Sequence, residues 1–364
     1  MAETQNNANE NIDILTDEDN NYENFENDDP TTMQEPEKRK KWWQYILNFH
    51  VFFAVFSLFI IVTLILFFKN WGVEIDQDYI DKNGVFDDGR DTFDVYAPLL
   101  DENGNVLANK SPHTVLFFGN SPFADDRDSE NNVVNLVAKK TGATVYNCSV
   151  AKSYLTATSK TLKYSISGQD VYNFYWLCIY LTWDEELDYF DWLEENPEAT
   201  IFPETAELRH TLETVDVNTI DTICIMYDGS DYLAGHKYTN PDNPTDIRSF
   251  TGNLQAGIEV LRERCPHIRI IVMSPTYAFG VDDDGNYVSS DIMVYPGGET
   301  LSTYVLKECE TVGSQGLTFI DNLYGTFNED EASEYLIDNL HLNQKGREKL
   351  ATRISSAITH YDEN

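Results

Sequence analysis

Two short segments of this chain carry residue types and spacings that could do chemistry. Residues 336–346 read Leu-Ile-Asp-Asn-Leu-His-Leu-Asn-Gln-Lys-Gly, placing Asp338 and His341 three residues apart. A carboxylate and an imidazole at that spacing suit an acid–base pair fixed by one short turn. The carboxylate would set the tautomer of the ring, and the ring would move the proton. Far upstream, residues 115–121 read Val-Leu-Phe-Phe-Gly-Asn-Ser, an apolar run ending in a glycine turn and Ser121. A serine hydroxyl is a weak nucleophile until an adjacent base takes its proton. A serine after an early strand, with its base supplied near the C-terminus, is a recurring plan for acyl transfer. By itself a serine after a strand is a common helix cap; the conjunction with Asp338 and His341 gives it weight.

Positioning such groups requires a scaffold, and from residue 113 onward strand-like and helix-like segments alternate. Residues 114–118 form a continuous apolar run, as expected of a strand covered on both faces. A helix is predicted over 130–141, ending at Gly142, and a short strand over 144–147. Strands over 222–227 and 268–273 are separated by a helix over 247–265, with Pro266 past its end. A helix over 300–312, a strand over 317–320 and a helix over 344–359 complete the series. This rhythm predicts a parallel sheet with helices on both faces. Residues 154–218 interrupt it with an aromatic and acidic segment containing Tyr172, Phe174, Tyr175, Trp176, Tyr180, Trp183, Tyr189, Phe190 and Trp192. They read as a helical insertion between the second and third strands, either packed on the sheet or capping a site that holds sugar rings. In doubly wound sheets ligands sit outside the carboxyl ends of the strands. Ser121, the segment 147–152, the segment 228–231, Ser274–Pro275 and the Asp338–His341 pair would then share one rim.

With these blocks in order, residues 113–360 resemble the SGNH hydrolases, also called GDSL esterases and lipases. Phe118-Gly119-Asn120-Ser121 stands where that family carries Gly-Asp-Ser, and Asp338-Asn339-Leu340-His341, followed by Gly346, is similar to its Asp-x-x-His block. Asn147-Cys148-Ser149-Val150-Ala151-Lys152 aligns with the glycine block, and Tyr227-Asp228-Gly229-Ser230-Asp231-Tyr232 with Gly-x-Asn-Asp. The resemblance implies a three-layer α/β/α sandwich around a mostly parallel five-stranded sheet, flavodoxin-like in arrangement. It implies Ser121 as nucleophile, His341 as base and Asp338 as its orienting partner. The family's oxyanion hole uses the nucleophile's N–H, a glycine N–H and an asparagine side chain. Here the glycine position holds Ala151 or Lys152, depending on a one-residue shift, and the asparagine position holds Ser230. Ser121, Lys152 and Ser230 are the implied oxyanion donors, with Asn120, Ala151 and Asp231 lining the site. Loss of one such donor elsewhere costs about 2.7–4 kcal/mol. Val150-Ala151-Lys152 also resembles a Val-Gly-Arg segment of the extracytoplasmic domains of peptidoglycan O-acetyltransferases. Three readings follow: an esterase removing O-acyl, chiefly acetyl, groups from carbohydrate; an O-acyltransferase acting on envelope polysaccharide; or a non-catalytic binding protein that keeps the scaffold.

Composition narrows the partners. The 364 residues include 62 acidic and 25 basic side chains, a formal net charge of −37. Such a balance argues against nucleic acid, whose phosphates need Lys and Arg to displace counterions. Residues 1–37 hold twelve Asp and Glu and no Lys or Arg, too few apolar groups to offset the entropy of ordering. The tail, residues 1–41, ends in the basic stop Lys38-Arg39-Lys40-Lys41; Trp42, Trp43 and Tyr45 follow. Residues 49–68 then carry no acidic or basic side chain except His50. As a helix those twenty residues would span about 30 Å, the thickness of a bilayer core. A transmembrane helix is therefore predicted over 46–69, contacting lipid. The basic flank predicts a cytoplasmic N-terminus and a C-terminal domain, 113–361, outside the cytoplasm. Residues 72–112, rich in Asp, Asn and Gly, read as a strap or linker before it. Cys148, Cys178, Cys224, Cys265 and Cys309 show no framework spacing, so no disulfide scaffold is expected. Asp282-Asp283-Asp284-Gly285-Asn286 resembles a calcium loop but lacks the distal Glu, and reads as a solvated turn. His210, His236, His267 and His360 lack metal-ligand spacing, and no glycine-rich phosphate loop occurs; no metal or cofactor is expected.

Overall fold

The computed structural model describes residues 50, 53–63, 92–101, 103–107, 111–164, 166–182 and 188–362. The chain divides into two compact units, Met1–Ile75 and Asp76–Asn364. In the first, residues 53–63 are helical, and Phe53, Val55, Phe56 and 58–62 expose 42–66% of their surface. Most of the remaining predicted span over 46–69, like the acidic tail, lies outside the described residues. Among the described residues no helix is long and apolar enough to cross a membrane.

The second unit is built on the unbroken apolar runs. β1 (Thr114–Gly119), β2 (Thr144–Asn147), β3 (Thr222–Met226), β4 (Arg269–Met273) and, later in the chain, β7 (Thr318–Ile320) form one parallel sheet in the order β2-β1-β3-β4-β7. Phe117 pairs with Asn147 on one side and Cys224 on the other, and Gly119 pairs with Met226. Every residue of β3 and β4 is buried, so both faces of the sheet are covered. Two helical groups do this. Val133–Thr141 packs with Gln344–Thr359, and Phe174–Thr182 packs with Phe250–Arg264, which also touches Leu301–Ser314. The strand order reverses between β1 and β3, which makes the carboxyl ends of those two strands the topological switch point.

Helix starts differ from the periodicity by a few residues, and caps explain it. The helix predicted from 130 begins at Val133 because the Asn132 side chain accepts from the N–H groups of Val134 and Asn135 (2.9 and 3.3 Å). The helix predicted from 247 begins at Phe250, after a turn in which the Ser249 N–H bonds to the Asp246 carbonyl. The last helix, Gln344–Thr359, is capped by Asn343, whose side chain accepts from the Gly346 N–H.

The regular elements described within residues 154–218 are all helical: 3₁₀ turns at Leu162–Tyr164 and Ile166–Tyr172, then Phe174–Thr182, Asp188–Glu195 and Thr205–Thr214, with 3₁₀ turn Val217–Thr219 at its end. Tyr172, Phe174 and Phe190 are fully buried, and Phe174 meets Phe118 of β1 edge-on at 5.7 Å. Much of this aromatic surface therefore serves the core. An unanticipated hairpin, β5 (Phe279–Val281) with β6 (Tyr287–Ser289), follows β4. The acidic segment 282–286 is its turn, with Asp282 accepting from the N–H groups of Asp284 and Asn286. All five cysteines are free. Among the described residues no group of His, Cys, Asp and Glu could hold a metal ion.

Residues 92–97 lie along β7: Val95 forms an antiparallel bridge with Phe319, and Ala97 exchanges hydrogen bonds with the Thr318 hydroxyl. Asp94 receives the Asp321 N–H and the Arg353 guanidinium (2.7 and 3.0 Å). This segment covers an edge that would otherwise leave backbone groups unpaired.

Candidate active site

Ser121 owes its position to a close approach of two strands. A Cβ on Gly119 would lie 2.0 Å from the Met226 carbonyl oxygen, so only glycine lets β1 run this near β3 before turning. Asn120 then locks the turn. Its amide donates to Asp228 Oδ1 (2.8 Å) and to the Ser153 carbonyl (3.0 Å), while its carbonyl accepts the Asp228 N–H (2.8 Å). Ser121, 2% exposed, opens a single helical turn, Ser121–Ala124, so its own N–H has no intrahelical acceptor.

The loop after β2 is drawn beside it. The N–H groups of Cys148 and Val150 bond to the carbonyls of Phe117 and Gly119, and Arg127 holds the carbonyls of Asn147 and Ser149. Lys152 takes φ +63°, the left-handed region that favours glycine. Its N–H points at Ser121 Oγ across 3.4 Å. Of the two neighbours Ala151 and Lys152, it is Lys152 whose N–H faces the serine. Strain of this kind concentrates at functional sites.

The loop 336–342 is closed by an antiparallel bridge between Leu336 and Leu342 and by the Ile337 N–H bonding to the His341 carbonyl (2.8 Å). Asp338 organises it. Oδ1 accepts the N–H groups of Leu340 and His341 (2.8 and 2.7 Å), and Oδ2 lies 2.8 Å from His341 Nδ1. With Nδ1–H donating to the carboxylate, Nε2 is left as the acceptor a general base needs. Burial pushes the imidazolium down, but the hydrogen bond and charge of Asp338, reinforced by Asp125, hold its pKa above the ordinary histidine value. Burial likewise raises Asp338; the backbone N–H groups of His341 and Leu340 and the imidazole more than offset it, leaving its pKa lowered.

Ser121 and His341 line one small cleft, together with Pro122, Asp125, Asp228, Leu340, Leu342 and Arg347. Among the described residues no hydrogen bond joins the Ser121 hydroxyl to His341. Catalytic contacts of this type are commonly long until a substrate is bound.

Apart from Ser121 and His341, none of these wall residues is among the sequence-predicted site residues, and three of the newcomers are charged. Asp125 follows Ser121 by four residues, the spacing that shares one helical face, which is the signal that could have found it. Burial raises its carboxyl against the opposing charges of His341 and Arg347. Arg347, on the last helix, pairs with Asp126. Asp228 is 3% exposed; its Oδ1 accepts from Asn120 and from the Ser230 N–H (2.9 Å), while Oδ2 is buried without a partner. Burial raises Asp228, opposed by the Ser230 hydroxyl and N–H, the Asn120 amide and the His341 charge.

The other predicted residues sit in the loops around the cleft. Ser230 follows β3 and gives its N–H to Asp228. Ala151 precedes Lys152 in the loop after β2, and Asn120 is the buried strut described above. Asp231 is fully buried, accepting the N–H groups of Leu155 and Thr156 (2.9 and 3.0 Å) and facing His236 Nδ1 at 2.8 Å. It ties the start of the 154–218 segment to the end of β3. Ser274 Oγ accepts the Asn322 N–H (2.8 Å) and braces β4 against β7.

No protein-family model matches the chain, and no curated protein matches it. Among solved structures, a protein from Lactobacillus plantarum is similar at 14% identity over 68% of this chain and 97% of its own, with a TM-score of 0.46. A carbohydrate acetylesterase from Sinorhizobium meliloti is similar at 13% identity over 67% and 96%, with a TM-score of 0.36. A family two carbohydrate esterase from Clostridium thermocellum, in complex with cellohexaose, is similar at 13% identity over 71% and 67%, with a TM-score of 0.39.

Proposed function

We propose that this chain is a serine esterase of the SGNH kind that removes O-acyl, chiefly acetyl, groups from carbohydrate, anchored by residues 46–69 with its C-terminal domain outside the cytoplasm. One observation carries the catalytic reading: Ser121 and His341, distant in sequence, line the same cleft, and Asp338 holds the outer nitrogen of the ring. In the first half-reaction Ser121 Oγ attacks the ester carbonyl carbon and gives its proton to His341 Nε2. The carbonyl electron pair moves to oxygen, where the N–H groups of Ser121 and Lys152 receive it. The tetrahedral species then expels the sugar alkoxide, which takes the proton from His341. Water repeats the sequence on the acyl-enzyme and regenerates the serine. Delivery of the acyl group to a second sugar hydroxyl would make the same site a transferase.

The anchor draws support from the apolar, exposed helix at 53–63 and the basic cluster 38–41 that precedes it. The full-length chain should hydrolyse an aryl acetate and an acetylated sugar, and Ser121→Ala should lower that turnover by about 10³-fold or more. Turnover unchanged in Ser121→Ala would remove the reading. Proteolysis of intact cells should remove residues 113–361; their protection would contradict the topology.

A further inference from the structure

We propose that Asp228 completes the oxyanion hole: carried as the neutral acid, its Oδ2–H donates a hydrogen bond to the oxygen that becomes negative when Ser121 attacks. This assignment rests on the esterase reading and adds a side-chain donor to the N–H groups of Ser121 and Lys152. The first support is place. Asp228 follows β3 at the switch point beside β1, and it lines the cleft with Ser121 and His341. The second is orientation. The Asn120 amide and the Ser230 N–H both donate to Oδ1, at 2.8 and 2.9 Å, and these two bonds fix the plane of the carboxyl group. Oδ2 is buried and has no partner. A buried carboxylate oxygen without a donor is costly, whereas a carboxylic O–H in that position is a donor waiting for an acceptor. An acid kept neutral by an apolar site can serve an oxyanion in this way.

The surroundings point the same way. His341, Asp125 and Tyr154 interact electrostatically with Asp228, Arg347 shares its cleft, and Asp231 follows three residues on. Asp125 disfavours a second negative charge, His341 favours one only while the imidazole is protonated, and the Arg347 charge is partly offset by its partner Asp126. Arg347 already pairs with Asp126, and the working base is neutral. Burial is the largest influence on the Asp228 carboxyl and raises it. In the attack step the Ser121 proton goes to His341, the new C–O bond forms, and the carbonyl pair moves to oxygen. Asp228 keeps its proton throughout and only donates a hydrogen bond, so it is regenerated without any co-reactant. Activity would then need His341 neutral and Asp228 protonated, and would fall as alkali ionises Asp228.

Two variants of the full-length chain test this. In Asp228→Asn the side-chain oxygen can take both Oδ1 bonds, placing its NH₂ at the Oδ2 position as a donor that does not ionise. We expect kcat within about tenfold of the wild type and disappearance of the alkaline limb. Asp228→Ala removes the donor and should lower kcat by about 10²–10³-fold with KM little changed, the usual effect of losing one oxyanion donor. Thermal unfolding of both variants checks the fold, and Asp228→Asn carries the test alone if the alanine protein does not fold. Wild-type kcat in Asp228→Ala, or an alkaline limb retained in Asp228→Asn, would overturn the assignment while leaving the Ser121 reading intact. Equal turnover by the wild type and Ser121→Ala would overturn both.

Discussion

Replacing Asp338 by Asn changes one atom and should disable the base. The asparagine carbonyl can still accept the N–H groups of Leu340 and His341, which both go to Oδ1 now. Its NH₂ then occupies the Oδ2 position, 2.8 Å from His341 Nδ1, so a donor faces a donor. The ring relieves this by carrying its proton on Nε2, the nitrogen that must accept from Ser121. In the serine template the same change lowers kcat roughly 10⁴-fold, about 5.4 kcal/mol at 1.36 kcal/mol per decade. Here the side chains of Asp338 and His341 are 42% and 31% exposed, so water can compete for Nδ1 and screen the lost charge. A loss of about 10²–10³-fold, roughly 2.7–4 kcal/mol, is the expected outcome. The acid limb should move as well. Asp338 helps hold His341 above its ordinary value, so activity in the wild type rises only as pH passes that raised pKa. Without the carboxylate the imidazole loses its proton more readily, and the limb should shift to lower pH. Steady-state hydrolysis of an aryl acetate across pH, with ¹⁵N NMR of the His341 tautomer, measures both effects. A kcat within about threefold of the wild type, or a ring still protonated at Nδ1, would refute the reasoning.

Lys152→Gly should leave kcat unchanged, because the N–H facing Ser121 is retained, and should alter stability little. Relief of the left-handed lysine, about 1–2 kcal/mol, is offset by the extra chain entropy of glycine, about 0.5–1 kcal/mol, for a net gain of about 0–1.5 kcal/mol in urea unfolding. A large loss of activity would mean that the lysine side chain, not its backbone, serves the site. Gly119→Ala should destabilise the fold by about 1–3 kcal/mol, as a Cβ cannot sit 2.0 Å from the Met226 carbonyl without forcing β1 from β3. An unchanged urea midpoint would show that the two strands tolerate separation.

The sheet was legible because its strands are apolar throughout: covering on both faces leaves 114–118, 222–226 and 269–273 without polar alternation. Hairpin β5–β6 was not, since three-residue strands carry too short a pattern to distinguish from loop. Ser121, Asp338 and His341 could be read because each needs a fixed residue type at a fixed spacing. Which of 151 and 152 faces the serine could not be read from residue type, because a backbone N–H is independent of side chain; the backbone geometry at Lys152 shows it. Asp228 was passed over for a related reason. Its neighbours Asn120 and Ser230 orient it, and one of those contacts spans 108 residues of sequence. For Ser230 the residue type alone offered a donor, and the structure adds that its N–H is given to Asp228.

The central claim is that His341 activates Ser121 for attack on an acyl carbon. Treating the full-length chain with a serine-directed phosphonate and locating the adduct by mass spectrometry tests it directly. One adduct on Ser121, strongly slowed in His341→Ala, is the predicted result; an unlabelled Ser121 in folded protein, or labelling at an equal rate without the imidazole, would contradict it.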